Sequence, residues 1–249
     1  MSAQSTLVLH RGARQVSFDE LNEVKAPEAV GRWFPLTHGA VLRRVKETLG
    51  EAGFEVKREA LALSKLDARF FGVLDLGTPL SEGVSLSVGV RNSFDKSFPI
   101  GFCAGSRVFV CDNLAFRSEL LVKRKHTRHG ELRFANDIAG AVVKLNQFKE
   151  DEGRRIAVMK VTEVTAERAD SLILNGFHKG LVTTPHLPKV IKEWREPKHE
   201  AFADRTYWSL FNAFTSALGD RAKANPHLYA TLTMRLSSHL MPPALALAA

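Results

Sequence analysis

The hydrophobic positions of this chain change period twice. Near the N-terminus "SFDE", residues 17–20, has the form of a capping box, with Ser17 accepting from the Glu20 backbone and Glu20 reaching back, and predicts a short helix that Pro27 stops. Beyond Pro35, Thr37 is placed to cap a second helix. Ala40, Val41, Val45, Thr48 and Leu49 recur there at helical spacing, and Arg43, Arg44, Lys46 and Glu47 take the other side. Gly53 suits the left-handed position past its end.

From Phe54 the period drops to two. β-Branched and aromatic runs near 54–63, 69–76, 84–91, 98–104 and 107–111, joined by short connections, predict an antiparallel meander. In the third run Val84, Leu86, Val88 and Val90 point one way, and Ser85, Ser87, Gly89 and Arg91 the other. The first set is expected against helices and the small, polar second set toward solvent. Val84, Leu86, Val88, Val90, Phe102 and Phe109 are the expected sheet core. Gly105-Ser106 reads as a two-residue hairpin turn. With that turn Cys103 and Cys111 fall on opposite faces, and both read as small buried hydrophobes rather than a disulfide.

The helical period returns at Glu131, where Leu132, Ala135, Ile138, Ala139, Val142, Val143 and Leu145 form one stripe of a long helix that extends past Gly153. Thr165 caps another helix, Thr184-Pro185 opens the next, and "DRTYWSLFNAFTSAL" and "NPHLYATLTMRLSSHL" supply the last two. The stripe Tyr207, Phe211, Phe214 and Leu218 reads as core. The fold class implied is α+β, an antiparallel β-meander flanked by helices and followed by a helical C-terminal region. Residues 13–160 are expected to form the core with the meander and long helix, and 161–240 a helical region packing on it. Residues 1–12 and 241–249 are expected to be disordered.

Composition narrows the class. A chain of 249 residues that is 45% hydrophobic and 25% charged has enough apolar side chains for a packed core. Its net charge of +8 favours anionic partners. No run approaches the roughly 18 apolar residues of a membrane span, and the first residues lack a leader's apolar stretch, so a cytoplasmic protein with no membrane partner is expected.

The positive charge is densest in "FRSELLVKRKHTRHGELRF", residues 116–134, where Arg117, Lys123, Arg124, Lys125, Arg128 and Arg133 outnumber Glu119 and Glu131. Bounded by Phe116 and Phe134, the segment has the make-up of a groove that tracks phosphates and stacks bases. Arg91, Lys96 and Arg107 from the meander are expected to assist it. A solvated connection between sheet and helix is the plainer alternative. His126 and His129 have an HxxH spacing, but no carboxylate or cysteine completes a ligand set and the neighbouring cations disfavour a dication, so no metal is expected. Ser93 and Ser97 flank Asp95 and Lys96 without a nucleophile elbow or an adjacent histidine, and no phosphate-binding glycine loop occurs. No catalytic residue and no cofactor are therefore expected.

"VGVRNSFDKSFPIGFCAGSRVFVCDNLAF", residues 88–116, together with "YWSLFNAFT", 207–215, resembles the phage- and plasmid-associated bacterial domain-of-unknown-function family 932. The resemblance covers about residues 30–240 and implies a mobile-element setting. It brings no catalytic residues to carry over. The hairpin is then architectural at its Phe and Val positions, with Arg91, Asn92, Asp95 and Lys96 as exposed candidates. The order of helix, meander and long helix is also similar to the core of single-strand annealing proteins, which assemble as rings or filaments around a basic groove. Fold likeness does not establish function. The leading expectation is a protein that binds or anneals single-stranded DNA, with RNA or duplex DNA as alternative polyanions and a homo-oligomer as the assembled form. Two other classes fit the same residues: a non-catalytic factor acting on a host or phage protein, as in anti-defence, and an enzyme of unassigned chemistry.

Overall fold

The computed structural model describes residues 12–108, 114–219 and 226–246. Within them six strands form one antiparallel sheet in sequence order: β1 (Arg14–Val16), β2 (Val56–Leu63), β3 (Arg69–Ser81), β4 (Val84–Ser93), β5 (Ile100–Val108) and β6 (Leu114–Arg124). Between β1 and β2 come α1 (Phe18–Glu23) and α2 (His38–Glu51). Both start as their caps predict. Ser17 and Glu20 exchange hydrogen bonds of 3.2 and 2.7 Å, and the Thr37 hydroxyl accepts from Ala40 N at 3.1 Å. α2 ends where Gly53 takes φ +81°, letting Phe54 N–H donate back to Leu49 O at 2.9 Å.

One sheet face carries Leu61, Leu74, Leu86, Val88, Val90 and Phe102 into a core shared with α2, α3 (Gly130–Val143) and α4 (Leu145–Val161). Five of the six side chains expected in the sheet core, Val84, Leu86, Val88, Val90 and Phe102, are buried there; the sixth, Phe109, lies outside the described residues, as does Cys111. The opposite face differs from expectation. Ser85, Ser87 and Arg91 do not face solvent, because all 10 residues of β4 are buried. On this face Ala60, Ala62, Phe71 and Val73 form a second apolar cluster with Phe98 and Cys103 against it, and Asp75, Ser87 and Arg107 form a buried polar patch.

Three further elements depart from the sequence reading. Gly105-Ser106 is not a turn, because the register Ser87↔Gly105, Leu86↔Ser106 and Val84↔Val108 runs straight through it. The basic segment is not a connection over its first half, since 114–124 is the edge strand β6. The long helix breaks at Lys144 into α3 and α4, and its buried stripe is Phe134, Ile138, Ala141, Val142 and Leu145. Leu132 and Val143 point outward, 68% and 76% exposed.

The C-terminal region is helical as expected, with α5 (Ala166–His178), α6 (Leu187–Arg195), α7 (Tyr207–Ala217), α8 (Pro226–His239) and α9 (Pro243–Ala246). α9 lies in the tail expected to be disordered; residues 1–11 and 247–249 are outside the described residues. α7 is buried around nearly its whole circumference, packing on α4 and α6, while α8 lies against β6. The apolar core runs unbroken from the sheet into these helices. No described helix is long and apolar enough to cross a membrane.

Candidate functional site

Three segments far apart in sequence meet at one end of the sheet, where β4 ends and β5 begins. The first is a tight turn in which Val30 and Trp33 exchange backbone hydrogen bonds of 3.0 Å, with Gly31 at φ +59°. The second is the β4–β5 loop. Ser93 Oγ donates to Phe98 O at 2.7 Å, Asp95 pairs with Arg69 at 2.5 Å, and Lys96 takes φ +62°. The third is the β6–α3 connection through Lys125, His126 and Thr127.

A buried relay of hydrogen bonds fixes these segments to one another. His38 Nε2–H donates to Asp67 O at 2.9 Å and His38 Nδ1 accepts from the Asn92 amide at 3.0 Å. The same amide donates to Leu36 O at 2.9 Å, and Leu36 N–H donates to His126 Nδ1 at 3.1 Å. These partners define the neutral tautomer of His38. Burial lowers its pKa to about 4, and lowers that of His126 as well, against the Ser93 carbonyl, which favours the proton. Phe94 stacks on His38 with ring centres 3.9 Å apart.

Between the three segments opens a cleft of about 570 Å³ lined by Arg32, Trp33, Lys96, Phe98, Lys125 and His126 among others. No carboxylate lines it. The Lys96 ammonium sits 4.8 Å from the centre of the Trp33 ring, and the His126 ring meets that indole edge-on at 6.2 Å. Wide aromatic walls with unopposed cations suit a ligand that is flat and negatively charged.

The structure sorts the expected site residues into distinct groups. Lys96 and Lys125 share the cleft. Lys123, Arg128 and Arg133 are exposed nearby in sequence, and Lys123 stands opposite Gly101 in the β5–β6 register. Arg124 is half-buried and tied to Asp137 through Nε at 2.7 Å. Arg107 is not on the surface: it is fully buried against Asp75 at 2.6 Å, because its position on β5 faces the inner polar patch. Phe134 is core on the inward side of α3, so it offers no stacking face. Phe116 lies on β6, opposite Gly105, with its side chain outside the described residues.

Arg91 and Asn92, expected to be exposed, are both buried. Arg91 lies across Gly101, where a Cβ would come within 2.7 Å of its Nε, and its guanidinium stacks 5.1 Å from the Phe98 ring centre. No carboxylate pairs with it among the described residues, and burial lowers its pKa. Cys103, half-buried on the same face, has its thiol pushed up to about 12 by burial, which keeps it unreactive.

Sequence reasoning missed Arg32 and Trp33. Their signal was present, an Arg-Trp pair after a glycine in the non-periodic stretch between Pro27 and Pro35. It carried no charge run to draw notice. Comparison with protein-family models, with curated proteins and with solved structures finds no match.

Proposed function

We propose that this protein binds single-stranded nucleic acid, single-stranded DNA foremost, and that the cleft at the end of the sheet is the centre of the binding surface. The observation that carries this reading is the cleft itself, where Arg32, Lys96 and Lys125 surround Trp33 and Phe98 with no carboxylate among the lining residues. Backbone phosphates need unopposed cations, and unpaired bases need aromatic platforms. Lys123, Arg128 and Arg133 extend the positive surface beyond the cleft. The phage- and plasmid-associated resemblance and a cytoplasmic setting are in keeping with such a task, and annealing of strands is the finer form of the proposal.

The test is fluorescence anisotropy of a labelled oligonucleotide at two salt concentrations. Affinity should fall with a log–log slope of about −0.7 per phosphate contact. Reversing Arg32, Lys96 and Lys125 to glutamate should weaken binding and make that slope shallower. Absence of binding at low salt removes the proposal.

One observation favours a protein partner in addition. α3 carries a second apolar stripe, Leu132, Ala135, Ala139 and Val143, of which Leu132 and Val143 are well exposed. Such a face suits association of copies of the chain. Sizing chromatography of wild type against Leu132→Glu/Val143→Glu tests it, with a shift to smaller size expected.

A further inference from the structure

We infer that the cleft holds one unstacked nucleotide of a bound strand, with its base on the Trp33 indole and its phosphate between Lys96 and Lys125. The inference rests on the nucleic-acid reading and makes it specific. The cleft's volume of about 570 Å³ lies in the range of sites that take a small molecule rather than a single ion. A bare anion would engage the cations and leave Trp33 and Phe98 unused. An uncharged ring would do the reverse. A nucleotide uses both halves of the lining at once.

Lys96 is the element that couples the two halves. Its φ of +62° is left-handed, a conformation that a lysine adopts only when its surroundings impose it, and such strain concentrates at ligand sites. Its ammonium lies 4.8 Å from the centre of the Trp33 ring. In the free protein, therefore, a flexible cation occupies the ring face. An incoming base stacks on indole more strongly than an exposed ammonium does, so it displaces Lys96, whose freed charge then meets the phosphate that arrives with the base. The wall that carries Trp33 is held in place before the ligand arrives, because Leu36, three residues on, is bonded to both Asn92 and His126. A base inside a duplex cannot enter, which makes the site selective for single strands.

The experiment uses tryptophan fluorescence of the full chain. Of 3 tryptophans, Trp194 and Trp208 are buried and Trp33 is half-exposed, so ligand quenching reports Trp33. The probes are thymidine 5′-monophosphate, thymidine and inorganic phosphate. The monophosphate should quench saturably and thymidine more weakly, while phosphate alone should neither quench nor compete at equal concentration. Lys96→Ala should weaken the monophosphate and leave thymidine unchanged or tighter, because the ring face is vacated. Trp33→Ala should weaken a labelled oligothymidylate about tenfold. Phosphate competing as well as the nucleotide would identify a plain anion site and overturn the inference. If the oligonucleotide binds in a salt-dependent way while the monophosphate does not quench, the pocket is refuted and the nucleic-acid reading stands. If neither ligand binds, both are lost. The wild-type and Lys96→Ala quenching results decide the matter even if Trp33→Ala does not fold.

Discussion

Arg107 on β5 donates to Asp75 on β3 at 2.6 Å across the intervening strand, and the two side chains are 1% and 4% exposed. The same carboxylate accepts from Ser87 Oγ on β4 at 2.8 Å and from Arg58 Nε on β2 at 3.0 Å. One buried acid thus joins four consecutive strands. Removing it leaves a guanidinium in a low-dielectric site, and breaking a buried pair from one side destabilises by about 3–5 kcal/mol. Asp75→Ala is expected to lower the unfolding free energy by an amount of that order, read in urea titrations as a lower midpoint. The double variant Asp75→Leu/Arg107→Met should recover part of the loss, since it replaces both members of the buried pair with apolar side chains. Arg107→Met at permissive temperature should bind nucleic acid as the wild type does.

His38 makes stability depend on pH in a defined window. Its folded-state pKa of about 4 lies below the usual 6.5, so as pH falls the unfolded chain takes up a proton first. The contribution is complete above about pH 6.5, declines as pH falls through the interval to about 4, and is constant below it. The displacement corresponds to on the order of 3 kcal/mol. Urea unfolding at pH 7 and pH 4.5 should show a much smaller difference for His38→Gln than for wild type. Equal pH dependence in the two proteins would remove His38 as the cause. His126, displaced the same way, supplies a residual dependence.

Local signals were legible in the sequence, and long-range ones were not. The caps at Ser17, Thr37 and Thr165 form because their hydrogen bonds span three residues. The alternation of Val84, Leu86, Val88 and Val90 correctly placed the sheet core because period two separates faces whatever lies beyond. Gly105-Ser106 misled because its turn chemistry was outweighed by the eight residues of β4, Val84 to Arg91, that pair with β5 and carry it past that point. β6 was hidden by its charges, which made a strand look like a solvated connection. The Asp75–Arg107 pair spans 32 residues, and a lone aspartate in the apolar run "FFGVLDLG" was its only local trace. Of the site, Lys96 and Lys125 were found by charge, whereas Arg32 and Trp33 reach the cleft only through tertiary contacts.

The phase of α3 can be tested directly, since two apolar stripes compete on one helix. Phe134 is fully buried among the core helices. Phe134→Ala should cost about 3–5 kcal/mol through the cavity it leaves. Leu132→Ser, on the outward stripe, should change the stability of the monomer by no more than about 0.5 kcal/mol. The opposite ranking in urea titrations would mean that the stripe expected from periodicity is the buried one. At temperatures where Phe134→Ala is folded it should bind an oligonucleotide normally, because the ring presents no face to a base.

Arg91 poses the sharpest opposition between stability and binding. Its guanidinium is buried without a carboxylate among the described residues, resting on Gly101 and on the ring of Phe98, whose side chain also lines the cleft. A buried cation without a counter-charge opposes folding, whereas a methionine of similar length fills the same channel without desolvation. Arg91→Met is therefore expected to leave the melting temperature unchanged or raise it. Binding should weaken nonetheless, because Phe98 loses its stacked support and the cleft loses a fixed positive potential behind it. The salt slope separates this from loss of an exposed lysine. A buried guanidinium touches no phosphate and releases no condensed counterion, so affinity should fall with the log–log slope unaltered, while Lys96→Ala should make it shallower by about 0.7. Anisotropy titrations at two salt concentrations, beside thermal melts of the same samples, distinguish the outcomes. A destabilised Arg91→Met protein, or one whose slope changes as that of Lys96→Ala does, would show that Arg91 supports the fold or reaches the ligand directly.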